Sequence, residues 1–354
     1  MKILVTGGAG YIGSVVVGQL LAAGHRVTVF DDLSHGHRQA IPAAAELVVG
    51  DLADGDRLCA VFQRGSFDAV MHFAAFIEAG ESMIYPERFF RNNSANALNL
   101  LECMLTAGVR RLIFSSTAAI FGNPGSTPIL EEDAFCPTNP YGESKLIVER
   151  LLGWFHRIHG LRYASLRYFN ASGSACSHRG EAHDPETHLI PRVLKVALGQ
   201  LPSVQIFGTD YPTADGTCVR DYIHVSDLAD AHLLALHAID SNSRPLIYNL
   251  GNGCGFSVRE VIEAARNVTG KQIKAVEAPS RAGDPAILVA SSERIRRELN
   301  WRPKYPRLDV IINSAWEWHR SHPDGYTTVG SLSKPQEEPL ALEREYRENP
   351  ALPR

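Results

Sequence analysis

Thr6-Gly7-Gly8-Ala9-Gly10-Tyr11-Ile12-Gly13 stands between the apolar run Lys2-Ile3-Leu4-Val5 and a stretch with helical spacing over residues 11–24. The order, strand then glycine turn then helix, decides the fold. Gly7 permits a tight turn, Gly10 lets a phosphate group approach the backbone, and Gly13 lets helix and strand pack closely. The first helical turn then offers unpaired N–H groups and a partial positive charge to an anion. A glycine-rich turn alone is often only a turn, so its surroundings carry the weight.

Outward from that turn, the first half of the chain alternates two patterns. KILVTG, HRVTVFDD, AELVVGD, FDAVMHFAA, RRLIFSST and RYASLRYFN are short runs rich in Val, Ile, Leu and Phe, the composition of strands buried on both faces of a parallel sheet. Helical patterns at 11–24, 88–107 and 141–159 end at Gly24, Gly108 and Gly160, the expected C-terminal caps. Strand alternating with helix implies an α/β domain, a doubly wound parallel sheet of the Rossmann type, over residues 1–170. Beyond it the rhythm loosens. A polar loop (SGSACSHRGEAHDPE) precedes a helix at about 187–199. QIFG and VRDYIHV look like short strands, and DLADAHLLALHAI and SVREVIEAARNVTG look like helices flanking the strand PLIYNLG. Residues 171–324 are therefore expected to form a smaller mixed α/β lobe over the carboxyl ends of the strands, where ligands of such sheets bind. Residues 325–354 are polar and proline-containing and are expected to be a mobile tail or a short late helix without chemistry.

Length and composition set the outer bounds. The 354 residues have room for one large domain or two closely joined ones, and 45% hydrophobic with 21% charged residues is ordinary for a globular protein. A net charge of -4 argues against nucleic acid or an anionic membrane as the main partner. The opening apolar run is too short for a signal peptide, and no apolar stretch approaches the ~20 residues that span a bilayer. Cys59, Cys103, Cys136, Cys176, Cys218 and Cys254 form no CxxC pair, which predicts reduced thiols and a cytoplasmic setting. His178, His183 and His188 are loosely spaced and no HExxH occurs, so they are assigned to a polar loop and no metal is expected.

Two further features turn the glycine run into a cofactor site. The second strand ends at Asp31-Asp32, near the ~20-residue spacing at which a carboxylate binds an adenine ribose 2′-OH. A carboxylate there repels a 2′-phosphate, which favours NAD over NADP. Asp51, in VVGDL, is placed to reach the adenine.

The strand RRLIFSST brings Ser115, Ser116 and Thr117 to the carboxyl end of the sheet, where hydroxyls can face the nicotinamide. Pro140-Tyr141-Gly142-Glu143-Ser144-Lys145 then opens a helix, with Tyr141 and Lys145 on one face. A free tyrosine, pKa ~10, is a poor base at neutral pH. A nearby ammonium and the cationic nicotinamide both favour the phenolate, and the lysine can also hold the nicotinamide ribose. Such a pair is suited to removing a proton from an alcohol while hydride leaves its carbon.

TGGAGYIG, SST and YGESK, with DDLSHG, GDL, HFAAFIEAGES, RNNS, NPYGESK, RYFNASG, THLIPRVLKVALG, IFGTDYPTADGTCVRDYIHVSDLADAH, NLGNG, RAGDPA and ELNWRP in that order, resemble the UDP-glucose 4-epimerase family. That family belongs to the extended short-chain dehydrogenases/reductases, and the likeness runs from residue 1 to about 324. The resemblance implies tightly bound NAD, a UDP-sugar partner, a place in galactose metabolism and a homodimer built through the helices near 88–107 and 141–159. It implies that Tyr141 takes the C4 hydroxyl proton while NAD takes the C4 hydride. The 4-keto sugar then swings over and hydride returns to its other face, with Thr117 holding the C4 oxygen. Beside Gly7, Gly10, Gly13, Ser115, Tyr141 and Lys145, it assigns Tyr11, Ile12, Asp31, Asp51, Leu52, Phe73, Ala74, Asn92 and Phe169 to the cofactor. With Thr117 and Tyr141, it assigns Asn170, His188, Leu189, Gln205, Ile206, Phe207, Arg220, Arg281, Asp284 and Leu288 to the nucleotide sugar. The chemistry agrees: Arg220 and Arg281 are forked donors suited to a diphosphate, and Phe207 offers an apolar wall to a uracil.

Departures from the family pattern bear on specificity. Ile77 stands where some members have a lysine, and Leu288, intermediate in size, faces the sugar's 2-substituent and leaves N-acetylated sugars open. Nucleotide-sugar dehydratases place an Asp-Glu acid/base pair directly after the threonine, whereas Ala118-Ala119 follow Thr117 here. A 4-epimerase of UDP-pentoses, UDP-glucuronate or UDP-N-acetylhexosamines, or a decarboxylating relative, keeps the same motifs. A non-catalytic NAD-binding sensor typically loses the Tyr/Lys pair, which is present.

Overall fold

In the computed structural model, residues 1–281 and 284–326 are described; the tail expected at 325–354 falls outside them from residue 327 on. In chain order the strands are β1 (Lys2–Thr6), β2 (Arg26–Asp31), β3 (Glu46–Val49), β4 (Ala69–His72), β5 (Arg111–Thr117), β6 (Arg162–Tyr168), β7 (Asn170–Ser172), β8 (Val204–Phe207), β9 (Val219–His224), β10 (Leu246–Leu250), β11 (Gly255–Ser257), β12 (Ala275–Ala278) and β13 (Ile287–Leu288). Seven of them form a parallel sheet in the order β10-β6-β5-β4-β1-β2-β3. The winding reverses between β1 and β4, and the crevice outside those strand ends is where a doubly wound sheet takes its ligand.

The continuous apolar strands are explained by burial from both sides. Ile3 and Val5 of β1 pack with Val16 and Leu20 of the helix Tyr11–Ala22 and with Leu228 and Ala235 of the helix Val225–Ala238. Leu4, pointing the other way, packs with Leu58 and Phe62 of the helix Gly55–Gly65 and Leu100 and Met104 of the helix Asn96–Thr106. All three strand residues are fully buried, each worth ~1.5–3 kcal/mol of transfer free energy.

The sheet does not end at residue 170. β10, the PLIYNLG strand expected in the smaller lobe, pairs with β6 in the register Leu246↔Ala164 to Leu250↔Tyr168, and the helix Val225–Ala238 covers the same sheet. A strand pattern identifies a strand but not its partner, which long-range contacts choose. The smaller lobe is thus built from segments on either side of this return. Its core contains Val193, Val204, Ile206, Val261, Ile262, Ile311 and Ile312, around a small sheet ordered β11-β9-β13, with β7 also on β9, and the pair β12-β8.

The single helix expected at 88–107 is interrupted: Pro86–Phe89 leads into a π-helical stretch, Phe90–Ala95, before Asn96–Thr106. The expected set of reduced thiols is corrected at one pair. Cys59 and Cys103, far apart in sequence, face each other from adjacent helices with Cα atoms 5.1 Å apart and are disulfide-bonded; Cys136, Cys176, Cys218 and Cys254 are free. No helix among the described residues is long and apolar enough to cross a membrane.

A buried ion pair ties the fifth and sixth strands to the helix that carries the chemistry. Arg167 on β6, 2% exposed, holds Glu149 of the helix Pro140–His159 through Nε (3.0 Å) and Nη2 (2.6 Å), and donates to the Glu131 carbonyl. Ser116 and Ser165 also donate to Glu149. Removing one partner strands the other charge, so Glu149→Ala is expected to cost ~3–5 kcal/mol in urea unfolding. A loss below ~1 kcal/mol, the range of exposed pairs, would contradict this.

Candidate active site

The glycine turn separates into structural and ligand-facing positions. Gly7 has φ +72°, and a Cβ on it would lie 2.4 Å from the backbone nitrogen of Ala74. A Cβ on Gly13 would lie 2.2 Å from the Gly7 carbonyl. Gly10 is different. Its φ is −76°, open to any residue, and the nearest protein atom to a Cβ there is 3.4 Å away. The chain itself does not require glycine at 10; the bare Cα opens on a cavity instead.

That cavity, about 330 Å³, follows the carboxyl ends of the central strands. Gly7, Gly10, Tyr11, Ile12, Gly13, Asp31, Asp51, Leu52, Phe73, Ala74, Asn92, Ser115, Thr117, Tyr141, Lys145, Phe169 and Asn170 all line it. Asp31 is 7% exposed. Its carboxylate accepts the amides of Ala9 and Leu33, both at 2.9 Å; burial raises its pKa and these bonds oppose the rise. The bare Cα at Gly10, the helix N-terminus and a carboxylate at the end of β2 fit a dinucleotide with an unphosphorylated 2′-hydroxyl.

At the other end of the cavity the Asn139 side chain caps the helix Pro140–His159 by accepting the Gly142 amide at 2.8 Å, with Pro140 opening the helix. This places Tyr141 in the first turn. Its phenol lies beside Thr117, at the end of β5. Burial raises the phenol's pKa, the Thr117 hydroxyl draws it down and the Glu78 carboxylate raises it again. Lys145 is bonded to the sheet rather than to the phenol. Its ammonium, 3% exposed, donates to the Ser115 carbonyl at 3.0 Å and lies 5.1 Å over Phe114, and burial lowers its own pKa to about 7. Lys145 and Tyr141 line the same cavity, with the lysine held by the sheet backbone. Four-residue spacing sets a shared face, but the long lysine stem turns inward to the sheet.

Several positioning residues lacked a readable signal. The Ser82 hydroxyl accepts the Tyr141 amide at 3.2 Å. Asn93, in the π-helical stretch beside Asn92, clamps the Phe76 backbone from both sides (2.9 and 3.0 Å) and donates to Ser144 at 3.0 Å. Tyr168 contacts the Ser115 hydroxyl. Widened helical turns of this kind often sit at functional sites, but nothing in an RNNS string announces one.

A second cleft, about 940 Å³, shares Ile77, Glu78, Asn170, Ala171, Glu181 and His188 with the first. Leu189, Gln205, Phe207, Arg220, Arg281, Asp284 and Leu288 line it. Ile206 does not: it is 2% exposed in the lobe core, since neighbours on a strand face opposite ways. Arg220 is paired with Asp284. The Arg281 guanidinium covers one face of Phe207, 3.8 Å from the ring centroid, so that face is occupied. Ala118 and Ala119 follow Thr117 in a tight turn and can carry no proton. His183 and His188, expected in a solvated loop, instead meet Glu181 and Glu186 in a cluster at the shared wall; His178 is not part of it.

This combination of doubly wound sheet, glycine turn and Tyr–Lys helix places the chain in the NAD dependent epimerase/dehydratase family, whose model matches residues 3–251. Among named relatives, it is 52% identical over 332 residues to a UDP-glucose 4-epimerase of Streptomyces lividans, covering 93% of this chain and 99% of that one. The structure of a UDP-glucose 4-epimerase from Bifidobacterium longum in complex with NAD+ and UDP superposes with a TM-score of 0.88 at 36% identity, covering 92% and 100% of the two chains. A UDP-glucose 4-epimerase from Stenotrophomonas maltophila, solved with NAD and formylated UDP-arabinopyranose, gives 0.88 at 40% identity, covering 91% and 99%.

The glycine geometry yields a paired prediction. Gly10→Ala should leave the thermal midpoint near that of the parent while weakening NAD retention by about tenfold or more, because only the pyrophosphate contact is lost. Gly13→Ala should lower the midpoint itself. Parent-like retention of NAD by the Gly10→Ala protein, read from its absorbance after gel filtration, would contradict the assignment.

Proposed function

We propose that this chain is an NAD-dependent epimerase that inverts C4 of a UDP-hexose, interconverting UDP-glucose and UDP-galactose. The observation that carries it is the shared wall between the two cavities. Tyr141 and Thr117 line the cofactor cavity, which shares Glu78 and Asn170 with the Arg-lined cleft, and Ala118 and Ala119 directly follow Thr117.

Bound NAD supplies reversible two-electron oxidation at the sugar carbon. Gly10, the helix N-terminus and Asp31 hold its pyrophosphate and adenosine ribose, and Lys145 and Ser115 stand at its nicotinamide end. Tyr141 takes the C4 hydroxyl proton and returns it to the same oxygen, while Thr117 holds that oxygen and steadies the phenolate by hydrogen bonding. Arg220 and Arg281 hold the diphosphate, with Asn170, His188, Leu189, Gln205 and Phe207 around the nucleotide. Inversion requires the sugar to present its opposite face while the nucleotide stays held. A cleft of about 940 Å³ leaves room for that turn.

A second reading, a 4-epimerase of another UDP-sugar, is favoured by Leu288. It lines the cleft and packs against Ile120, Phe121, Ile129 and Leu146 without filling the space as an aromatic ring would. The proposal includes a homodimer, supported by Trp154 and Ile158, 58% and 68% exposed on the helix Pro140–His159, and a cytoplasmic setting, where nucleotide sugars are handled.

Tyr141→Phe should lower kcat for UDP-galactose by ~10²–10⁴ while NAD remains bound. Turnover near the parent rate would overturn the proposed proton route. Leu288→Tyr should depress UDP-N-acetylgalactosamine turnover relative to UDP-galactose by about tenfold; an unchanged ratio would remove Leu288 from specificity.

A further inference from the structure

We propose that Glu181, His183, Glu186 and His188 form a four-ligand site for a divalent zinc-class ion that pins the segment between the cofactor cavity and the sugar cleft. One donor atom from each lies within 4.8 Å of the other three. His183 Nδ1 is 3.5 Å from Glu181 Oε1 and 3.5 Å from Glu186 Oε2; His188 Nδ1 is 3.0 Å from Glu181 Oε1 and 3.1 Å from Glu186 Oε1. A tetrahedral ion with ligand distances of ~2.0–2.1 Å sets donors about 3.3–3.4 Å apart. The four imidazole–carboxylate separations, 3.0–3.5 Å, are close to those edges.

A second observation points to a cation rather than to hydrogen bonding alone. Glu186 Oε2 and His183 Nδ1 are buried and have no hydrogen-bond partner among the described residues, and the Glu186 side chain is 3% exposed. The two atoms lie 3.5 Å apart with no hydrogen bond to satisfy either; such buried groups are costly to leave unmatched, and a cation satisfies both. The two-nitrogen, two-oxygen donor set suits zinc and its neighbours; magnesium prefers six oxygens.

The surroundings hold the cluster in place. His188 donates its amide to Glu186 Oε1 at 2.9 Å, Arg192 donates to the Glu186 carbonyl at 3.2 Å, and the Tyr11 ring meets His183 edge-on at 6.4 Å. Gly180 lies so close to Trp318 that a Cβ would approach the indole to 2.2 Å. Four protein ligands close the coordination shell, as in structural zinc sites, so the ion orders the segment and activates no water. Glu181 and His188 line both cavities, and fixing them fixes the wall that cofactor and sugar share.

The experiment is metal analysis of the NAD-loaded protein as purified, then after removal of metal with a chelator and re-addition of Zn2+ or Mg2+. About one zinc-class ion per chain, taken up again from Zn2+ and raising the thermal midpoint, is expected. His183→Ala and Glu186→Gln, neither assigned to the sugar, should each lower the ion content at least tenfold in protein that still elutes as the folded species. A stripped parent that takes up no Zn2+ and shows no shift would overturn the site, leaving only ion pairs between imidazoliums and carboxylates. Retention of the ion by both variants, or equal uptake of Mg2+, would overturn it equally.

Discussion

The backbone approach between Gly7 and Ala74 is the contact on which the rest of the site depends. The Gly7 amide donates to the Phe30 carbonyl at 3.0 Å, and the amides of Phe73 and Ala74 donate to the Thr6 carbonyl at 2.9 and 3.2 Å. The ends of β1, β2 and β4 are thus stitched together around a turn that no side chain could enter. From that junction the helix Tyr11–Ala22 starts with its N-terminus toward the crevice, Asp31 arrives at one side, and β5 brings Ser115 and Thr117 to the other. A single glycine conformation sets the distance scale of the whole cavity.

Burial then sets the chemistry. Among the described residues no carboxylate pairs with Lys145, and desolvation lowers its pKa to about 7; desolvation also raises the Tyr141 phenol. Both effects favour neutral forms, so proton transfer at Tyr141 is governed by what stands against the phenol rather than by a standing phenolate. Thr117 favours ionisation and Glu78 opposes it. Glu78 thus enters the proton balance at Tyr141, although helical spacing drew attention only to the lysine.

Features with a local cause were legible in the sequence. Gly7, Gly13, Asp31 and the Pro140-Tyr141 helix start each depend on neighbours a few residues away, and each lies where its spacing placed it. Features with a distant cause were not. PLIYNLG reads as a strand in any setting, but only packing against β6 moves it out of the smaller lobe. Cys59 and Cys103 have no motif because they lie on separate helices, 44 residues apart in sequence, that meet only in the folded chain. Ile206 and Phe207 were grouped by resemblance, and strand alternation separates them. Glu181, His183, Glu186 and His188 sit in a loop whose polarity suggests solvent, whereas Trp318 and Tyr11 turn it inward.

UDP-galactose carrying deuterium at C4, converted by the enzyme in ordinary water, follows the reacting carbon most directly. If one carbon is oxidised and re-reduced in a single closed site, with Tyr141 moving only the hydroxyl proton, the deuterium remains on C4 of the UDP-glucose formed. The reverse experiment in deuterium oxide then leaves C4 unlabelled. Loss of the label to solvent, or its appearance at another carbon, would contradict a mechanism in which C4 gives up its hydrogen and receives the same one back.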